Sequence, residues 1–116
     1  MKHIRSHLIG IDQGSVNLFS EFESGGEMWT GIGPRERRRK VKFETPYLSV
    51  PAVQVSLAML DADNETNTRA DVQAENVTKS GFEAVFRTWG DSRVARVRLN
   101  WTAIGEVRDP EIWDVS

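Results

Sequence analysis

The sequence predicts an all-β protein built as a six-stranded antiparallel sandwich. Short runs in which apolar and polar side chains alternate recur along the chain, and this period of two is typical of strands that bury one face. Segments rich in Gly, Asn, Asp and Pro separate the runs, as expected for turns between antiparallel strands. No stretch shows a convincing helical period, and 116 residues suffice for one domain with its own core.

Residues 1–37 are predicted to hold the first strand and a packed loop of the same domain. The strand is expected at 2–11. The segment that follows, 14–33, is rich in Gly, Ser and Glu, and it contains the large apolar residues Phe19, Phe22, Met28 and Trp29. Such side chains in an irregular stretch favour a packed loop over a disordered linker.

Residues 38–105 are predicted to form the body of the sandwich. In a strand at 38–43 the apolar side chains are expected to face the core and the basic ones the solvent. Pro46 and Pro51 cannot donate to a central ladder, so they are expected to bracket a connection. Further strands are predicted at 53–59 and 69–77 and in a hairpin at 81–101. The expected core faces include Val53, Val55, Leu57, Met59, Phe82, Phe86 and Trp101.

Residues 106–116, EVRDPEIWDVS, are predicted to be an acidic C-terminal tail in an extended conformation. Trp113 follows Pro110 in this tail. An indole in so polar a segment is expected to dock on the domain or on a neighbouring subunit, and the tail is therefore a candidate for attachment to a larger particle.

The composition argues against several classes of function. The net charge of −2 provides no strong field for nucleic acid or for an anionic membrane. A basic run at 35–42 lacks the interleaved aromatic residues that stack on bases, so no nucleic-acid partner is predicted. Arg37 and Arg39 of this run are expected to pair with Asp or Glu of the next strand or subunit, or to recognise carboxylate or phosphate on an anionic polysaccharide. Arg93, Arg96 and Arg98 are expected to meet Asp71, Glu75 or Glu83 of the same or adjoining chains.

Catalysis, metal binding and membrane insertion are not expected. The chain has no cysteine and only two histidines, His3 and His7, so neither a thiolate site nor a His-rich metal site is predicted. No cofactor is implied. No apolar run approaches the ~20 residues of a membrane helix, and the first residues lack a secretory signal. The chain is therefore expected to be made in the cytoplasm and to act extracellularly or on a released particle.

Several separated motifs resemble the H-type lectin domain, the antiparallel sandwich of snail agglutinin and the discoidins. The matching positions are Phe43, Pro46 and Tyr47, the run PAVQVSLAMLD at 51–61, Arg69 after a polar loop, NVTKSGF at 76–82, Thr88 with Trp89, and WTAIG at 101–105. The resemblance covers over half of the chain and suggests a bacterial or phage-like member. It implies a homotrimer, sometimes stacked into a hexamer, that binds galactose or N-acetylgalactosamine in grooves between subunits.

The resemblance implies a binding site around Trp89 and Arg69. Trp89 lies at a turn rather than on an alternating apolar face, and a flat aromatic ring suits the apolar C–H patch of a galactose-type sugar. Arg69 would donate to sugar hydroxyls through its planar fork. Gly90 and Asp91 follow the tryptophan in the same turn. Glycine loses a polar contact that can select the acetamido group, but it leaves room for a bulkier or acidic sugar.

Alternatives stay open at each of these positions. Trp89 could be a half-buried turn residue that covers the end of the sandwich. Arg69 could form a surface ion pair with Asp61, Asp63 or Glu65. The acidic residue of the family's site aligns with Ile32 without a gap, and with Glu36 after a shift. Ala95 replaces an aromatic residue found near the pocket in some members.

The predicted function is a non-catalytic lectin whose weak sites act together on a repetitive cell-surface polysaccharide. It would serve the adhesion of a particle to a cell. The alternative is a structural β-sandwich subunit of a larger assembly, such as a phage-like spike, that binds no sugar. A glycoside hydrolase is a third possibility, but no acid and nucleophile pair is recognisable.

Overall fold

The computed structural model describes residues 1–5 and 7–110 and shows a sandwich of two three-stranded sheets. The elements are β1 (Ile9–Ser20), α1 (Glu27–Thr30), β2 (Arg35–Lys42), β3 (Ala52–Ala62), β4 (Asp71–Glu75), β5 (Gly81–Thr88) and β6 (Val94–Glu106). The strand orders are β1-β6-β3 and β2-β5-β4, and every pairing is antiparallel. The predicted all-β antiparallel architecture is therefore confirmed. Trp113 and the rest of 111–116 lie outside the described residues.

The core lies between the central strands β5 and β6. Alternate side chains of each strand point inward, because successive residues of a strand face opposite sides. Phe82, Phe86 and Trp101 are buried and belong to one cluster, as the sequence predicts. The rings of Phe82 and Trp101 contact each other at a centroid distance of 5.5 Å, and the three rings contact Phe19 or Phe43 at 5.7 to 5.9 Å.

The first strand lies later in the chain than the sequence predicts, and a short helix forms within the segment predicted as a loop. β1 begins at Ile9 and continues to Ser20, later than the predicted strand at 2–11 and through part of the predicted loop. Gly14 pairs with Trp101, and a side chain there would lie only 3.0 Å from the indole Nε1. The glycine that suggests a loop thus lets the indole pack on the strand. α1 forms a single turn, too short to produce a helical period.

A bulge in β3 reverses the predicted position of Met59. Leu57 pairs with the buried Leu99, but the register shifts at the next residue, so that Met59 pairs with Arg98. Met59 therefore shares the side of the exposed Arg98, and Leu60 pairs with the buried Val97 in its place. Leu57 and Leu60 remain 39% and 37% exposed on this edge strand, so the predicted core position of Leu57 is wrong. An inserted residue of this kind is not visible in the alternation of side chains.

The arginines of β2 and β5 form a network of ion pairs on the outer face of β2-β5-β4. Arg38 contacts three carboxylates at 2.8 to 3.2 Å, those of Glu36, Glu75 and Glu83. Arg87 contacts Glu36 and Glu75 at 3.2 and 2.7 Å. Of the two arginines expected to pair with an acid, Arg37 contacts Glu21 at 2.7 Å, whereas Arg39 donates to the Leu18 carbonyl at 3.3 Å. Within the described residues the expected pairing is therefore found for Arg37 and not for Arg39.

The expected pairing of the last strand's arginines within the chain is wrong. Arg96 pairs with Asp61 at 2.9 Å, and Arg93, which lies just before β6, pairs with Asp63 at 3.2 Å. Asp61 stands directly opposite Arg96 in the β3–β6 ladder. Cross-strand neighbours are the side chains that meet most readily, so the register decides these pairs.

The network predicts an acid-sensitive stability. Hydrogen bonds from Arg38 and Arg87 lower the pKa of Glu36 and Glu75, respectively, below the ordinary value of 4.5. Hydrogen bonds to Glu83, first from Asn76 and then from Arg38 in order of effect, lower the pKa of Glu83 as well. A carboxyl group whose pKa is lower in the folded than in the unfolded protein stabilises the fold at pH values above its unfolded pKa. This contribution to stability is lost as the pH falls through the pKa of the folded state. Urea unfolding should therefore show a loss of stability below about pH 4.5 that is shallower in Arg38→Gln. Parallel pH profiles for the two proteins would contradict this.

Candidate functional site

A tight turn between β5 and β6 carries an exposed aromatic ring at one end of the sandwich. Trp89 follows the last residue of β5 directly and is 45% exposed, whereas Thr88 before it is buried. The Thr88 hydroxyl donates to the Arg69 carbonyl at 2.6 Å. The backbone on the inner side of the turn is thus anchored while the indole stays accessible to solvent.

Gly90 gives the turn its conformation. Its φ of +69° lies in the left-handed region, which glycine adopts without strain. A side chain at Gly90 would also meet Arg69, with a Cβ only 2.8 Å from Nη1. The absence of a side chain therefore allows the guanidinium of Arg69 to lie against the turn.

Arg69 is held beside this turn by both its backbone and its side chain. Its N–H donates to Ser92 Oγ at 2.8 Å, and the same buried hydroxyl donates to the Asn67 carbonyl at 2.7 Å. Its Nη1 lies 2.7 Å from Asp91 Oδ1. This hydrogen bond, aided by the Asn67 N–H, lowers the pKa of Asp91 below its ordinary value. The ion-pair partner of Arg69 is thus Asp91, not any of the loop acids expected from the sequence.

Arg35 ties the turn to α1 from inside the protein. This arginine is only 5% exposed. Its three donor nitrogens contact backbone carbonyls at 2.9 to 3.3 Å, those of Gly33, Glu27, Met28 and Gly90. The Gly33 N–H donates to the Gly90 carbonyl as well, at 2.9 Å. The turn that presents Trp89 is therefore braced rather than loose.

Glu36 and Trp89 line the same groove, which has a volume of about 380 Å³. Arg87 and Asp71 line it too, and they stand opposite each other in the β4–β5 ladder. The two Glu36 oxygens accept from Arg38 and Arg87 at 2.9 and 3.2 Å. Glu36 is therefore an ionised carboxylate with defined partners, and the ungapped alternative, Ile32, is an 85% exposed side chain.

The structure brings four of the five predicted site residues into one turn and its flanking loop, and Glu36 into the adjoining groove. Arg69 does not line the groove beside Trp89, because it lies on Gly90 and pairs with Asp91. Sequence reasoning gave no site role to Arg87, Asp71, Arg35 and Ser92. Arg87 could have been found from its position two residues before Trp89, but Arg35 looks like one more charge of a basic run.

Within residues 1–5 and 7–110, three or more His, Cys, Asp or Glu side chains nowhere come together in an arrangement suited to a metal ion. The described helix is too short to cross a membrane. These findings concern the described part of the chain.

An antiparallel β-sandwich with an exposed indole at one end is compatible with a carbohydrate-binding domain, but the fold alone does not establish that function. Residues 38–104 match the profile of the H-type lectin domain, so the chain belongs to this family of lectin domains. The family and the fold point to a binding protein rather than to an enzyme.

Relatives and solved structures support this assignment. The chain is 56% identical over 108 residues to the "ATP synthase subunits region ORF 7" protein of Fuscovulum blasticum, and the match covers 93% of this chain and 94% of that one. It is 37% identical over 75 residues to one of the discoidin-1 polypeptides of Dictyostelium discoideum, covering 64% of this chain and 30% of that one. The structure resembles discoidin II of the same organism with a TM-score of 0.74 and 28% identity, covering 90% of this chain and 39% of that chain. The chain thus spans well under half of the discoidins it matches.

Proposed function

We propose that the protein is a lectin that binds galactose, N-acetylgalactosamine or a related cell-surface polysaccharide beside Trp89. The observation that carries this proposal is an indole kept 45% exposed on a braced turn of an H-type lectin domain. Within a lectin domain, an exposed ring on a rigid support provides the apolar platform that a ligand pocket requires.

The chemistry of the turn complements a galactose-type sugar. Its apolar C–H face would lie on the Trp89 ring, and its hydroxyls would face the charged side chains. Arg69 keeps donors beyond the one that contacts Asp91, because a guanidinium carries five N–H groups. Asp91 and Glu36 are ionised and would accept hydrogen bonds from sugar hydroxyls. The space beside Gly90 holds the Arg69 guanidinium, so it does not provide the room for a bulkier sugar that the sequence suggests.

The division of these groups supports a site completed by a second protomer. Trp89 and Glu36 line one groove, whereas neither member of the Arg69–Asp91 pair lines it. A sugar that contacts both an indole and a guanidinium would then take them from neighbouring protomers of a homotrimer or hexamer. Exposed apolar residues of sheet β1-β6-β3, which include Ile9, Ile11, Leu57, Leu60 and Ile104, are compatible with such an assembly.

Several such sites on one particle would convert weak sugar binding into firm adhesion. Linked sites raise apparent affinity by about 10²–10⁴ when they engage a repetitive surface together. The context we propose is a particle that attaches to a cell through its polysaccharide and acts outside the cell that made it. The competing function is a structural sandwich of a larger assembly, with no sugar ligand.

A glycan array tests the proposal. The wild-type protein should bind galactose- and N-acetylgalactosamine-terminated glycans or an anionic polysaccharide, and Arg69→Gln should lower the affinity about fivefold, equivalent to one modest hydrogen bond. Lys79→Gln removes an exposed positive charge at the opposite end of the sandwich and should bind as wild type. Silence of the wild-type protein across the array at several pH values and with calcium would favour the structural role.

A further inference from the structure

A second cleft with aromatic and charged walls lies near the Trp89 turn. Its volume is about 490 Å³, within the range of small-ligand sites. Its lining includes Phe22, Glu23, Trp29, Asp61, Ala95 and Arg96. None of these residues lines the groove beside Trp89.

An aromatic pair forms one wall of this cleft. The rings of Phe22 and Trp29 meet edge to face, with centroids 5.0 Å apart and planes at 74°. The Arg93 guanidinium lies over the Trp29 ring at 4.4 Å from its centroid, and its Nε donates to the Trp29 carbonyl at 3.0 Å. Trp29 is thus fixed in place and supports Phe22, which stays 56% exposed.

Asp61 and Arg96 supply polar groups beside these rings. Both donors of Arg96 that reach Asp61, Nε and Nη2, contact the same oxygen, Oδ2, at 3.1 and 2.9 Å. Within the described residues, Asp61 Oδ1 accepts no hydrogen bond and Arg96 Nη1 donates none. The cleft therefore offers an unused acceptor and an unused donor together, which is what a saccharide hydroxyl requires.

The position of the cleft relates it to the Trp89 turn. Arg93 links Trp29 to the residues that directly follow the turn, and Arg35 donates both to α1 carbonyls and to the Gly90 carbonyl. Both aromatic surfaces therefore lie at the same end of the sandwich and share one rigid support. Ala95 lies at the floor of the cleft, where its small side chain leaves room for a ligand.

We propose that this cleft is a second saccharide subsite, which binds another residue of the glycan that contacts Trp89. The class of ligand rests on the proposed function, but the cleft uses a different set of side chains. The ring of Phe22 provides an apolar platform, and Asp61 with Arg96 contacts hydroxyls at its edge. Because Asp61 and Arg96 neutralise each other and Glu23 adds a carboxylate to the wall, the subsite accepts a neutral rather than an anionic sugar unit.

The test is an NMR titration read through the tryptophan indoles. The chain has four tryptophans, and Trp29→Phe and Trp89→Phe identify two of the indole N–H resonances. The probes are galactose, N-acetylgalactosamine and their β-linked di- and trisaccharides. The longer probes should shift both resonances. Phe22→Ala should weaken trisaccharide binding about tenfold and leave the monosaccharide affinity at Trp89 unchanged, and Asp61→Asn should act in the same direction.

The outcomes separate this subsite from the Trp89 site. Leu48→Ala serves as the matched control, because it removes an exposed apolar side chain near the other end of the sandwich. This variant should bind as wild type. A Trp29 resonance that every probe leaves unmoved while Trp89 responds would overturn the subsite and leave the lectin function standing. A Trp29 response without one from Trp89 would support the cleft and remove the Trp89 site. If no probe moves either resonance, both proposals fall.

Discussion

Trp89→Ala should reduce glycan binding by at least about thirtyfold, as expected for a central aromatic contact of some 2 kcal/mol. The ring is the largest apolar surface at the proposed site, and no other side chain of the turn can replace it. Isothermal titration with the best glycan of the array would measure the loss.

The same substitution should leave the fold almost unchanged. Trp89 is nearly half exposed in the described chain, and the turn is anchored through Thr88, Gly90 and Ser92 rather than through the indole. The thermal midpoint of Trp89→Ala should therefore stay close to that of wild type. Leu48→Ala removes a side chain of similar exposure, 40%, near the opposite end and should affect neither quantity. Unchanged affinity in Trp89→Ala would show that the indole does not contact the sugar.

Arg35→Met should destabilise the protein by at least about 2 kcal/mol, because the Gly33 and Met28 carbonyls lose their donor and two further carbonyls lose one of two donors. For a domain of this size, such a loss lowers the thermal midpoint by roughly 8 °C or more. Chemical denaturation would measure the free energy of unfolding. The effect should reach beyond stability, since Arg35 joins α1 to the Gly90 carbonyl. Glycan affinity should therefore fall in this variant at temperatures where it is still folded.

Arg35→Lys is the control for charge. Lysine keeps the positive charge, but a single ammonium cannot reproduce the fork that reaches four carbonyls. Its stability should lie between those of wild type and Arg35→Met. If Arg35→Met unfolds like wild type and keeps its glycan affinity, then Arg35 does not brace the turn.

Alternation identified much of the core from the sequence. Phe82, Phe86 and Trp101 are buried in strands with clear alternation, and the period of two fixes which face they occupy. The sequence predicts the first strand too early in the chain, because Gly14 resembles a loop residue. Its place in β1 follows only from the Trp101 indole, which packs against it from the paired strand. Met59 was misplaced by a bulge, which depends on pairing with β6 and leaves no mark on the strand's own sequence.

Ion pairing was harder to predict than burial. Sequence distance suggested partners for Arg69 in the acidic loop before it, but the chain brings Asp91 from the next turn instead. Arg35 looks like a surface charge and is buried, because β2 begins against α1 and the turn. The aromatic cleft was missed for the same reason: Phe22 and Trp29 meet Asp61 and Arg96 only in the folded chain.

A crystal structure of the protein with N-acetylgalactosamine or galactose tests the central claim most directly. We expect the sugar to lie with its C–H face on the Trp89 ring, at a boundary between protomers, with its hydroxyls in reach of an Arg69 guanidinium. An indole covered by protein in the assembly, or a sugar bound far from it, would contradict the proposed site.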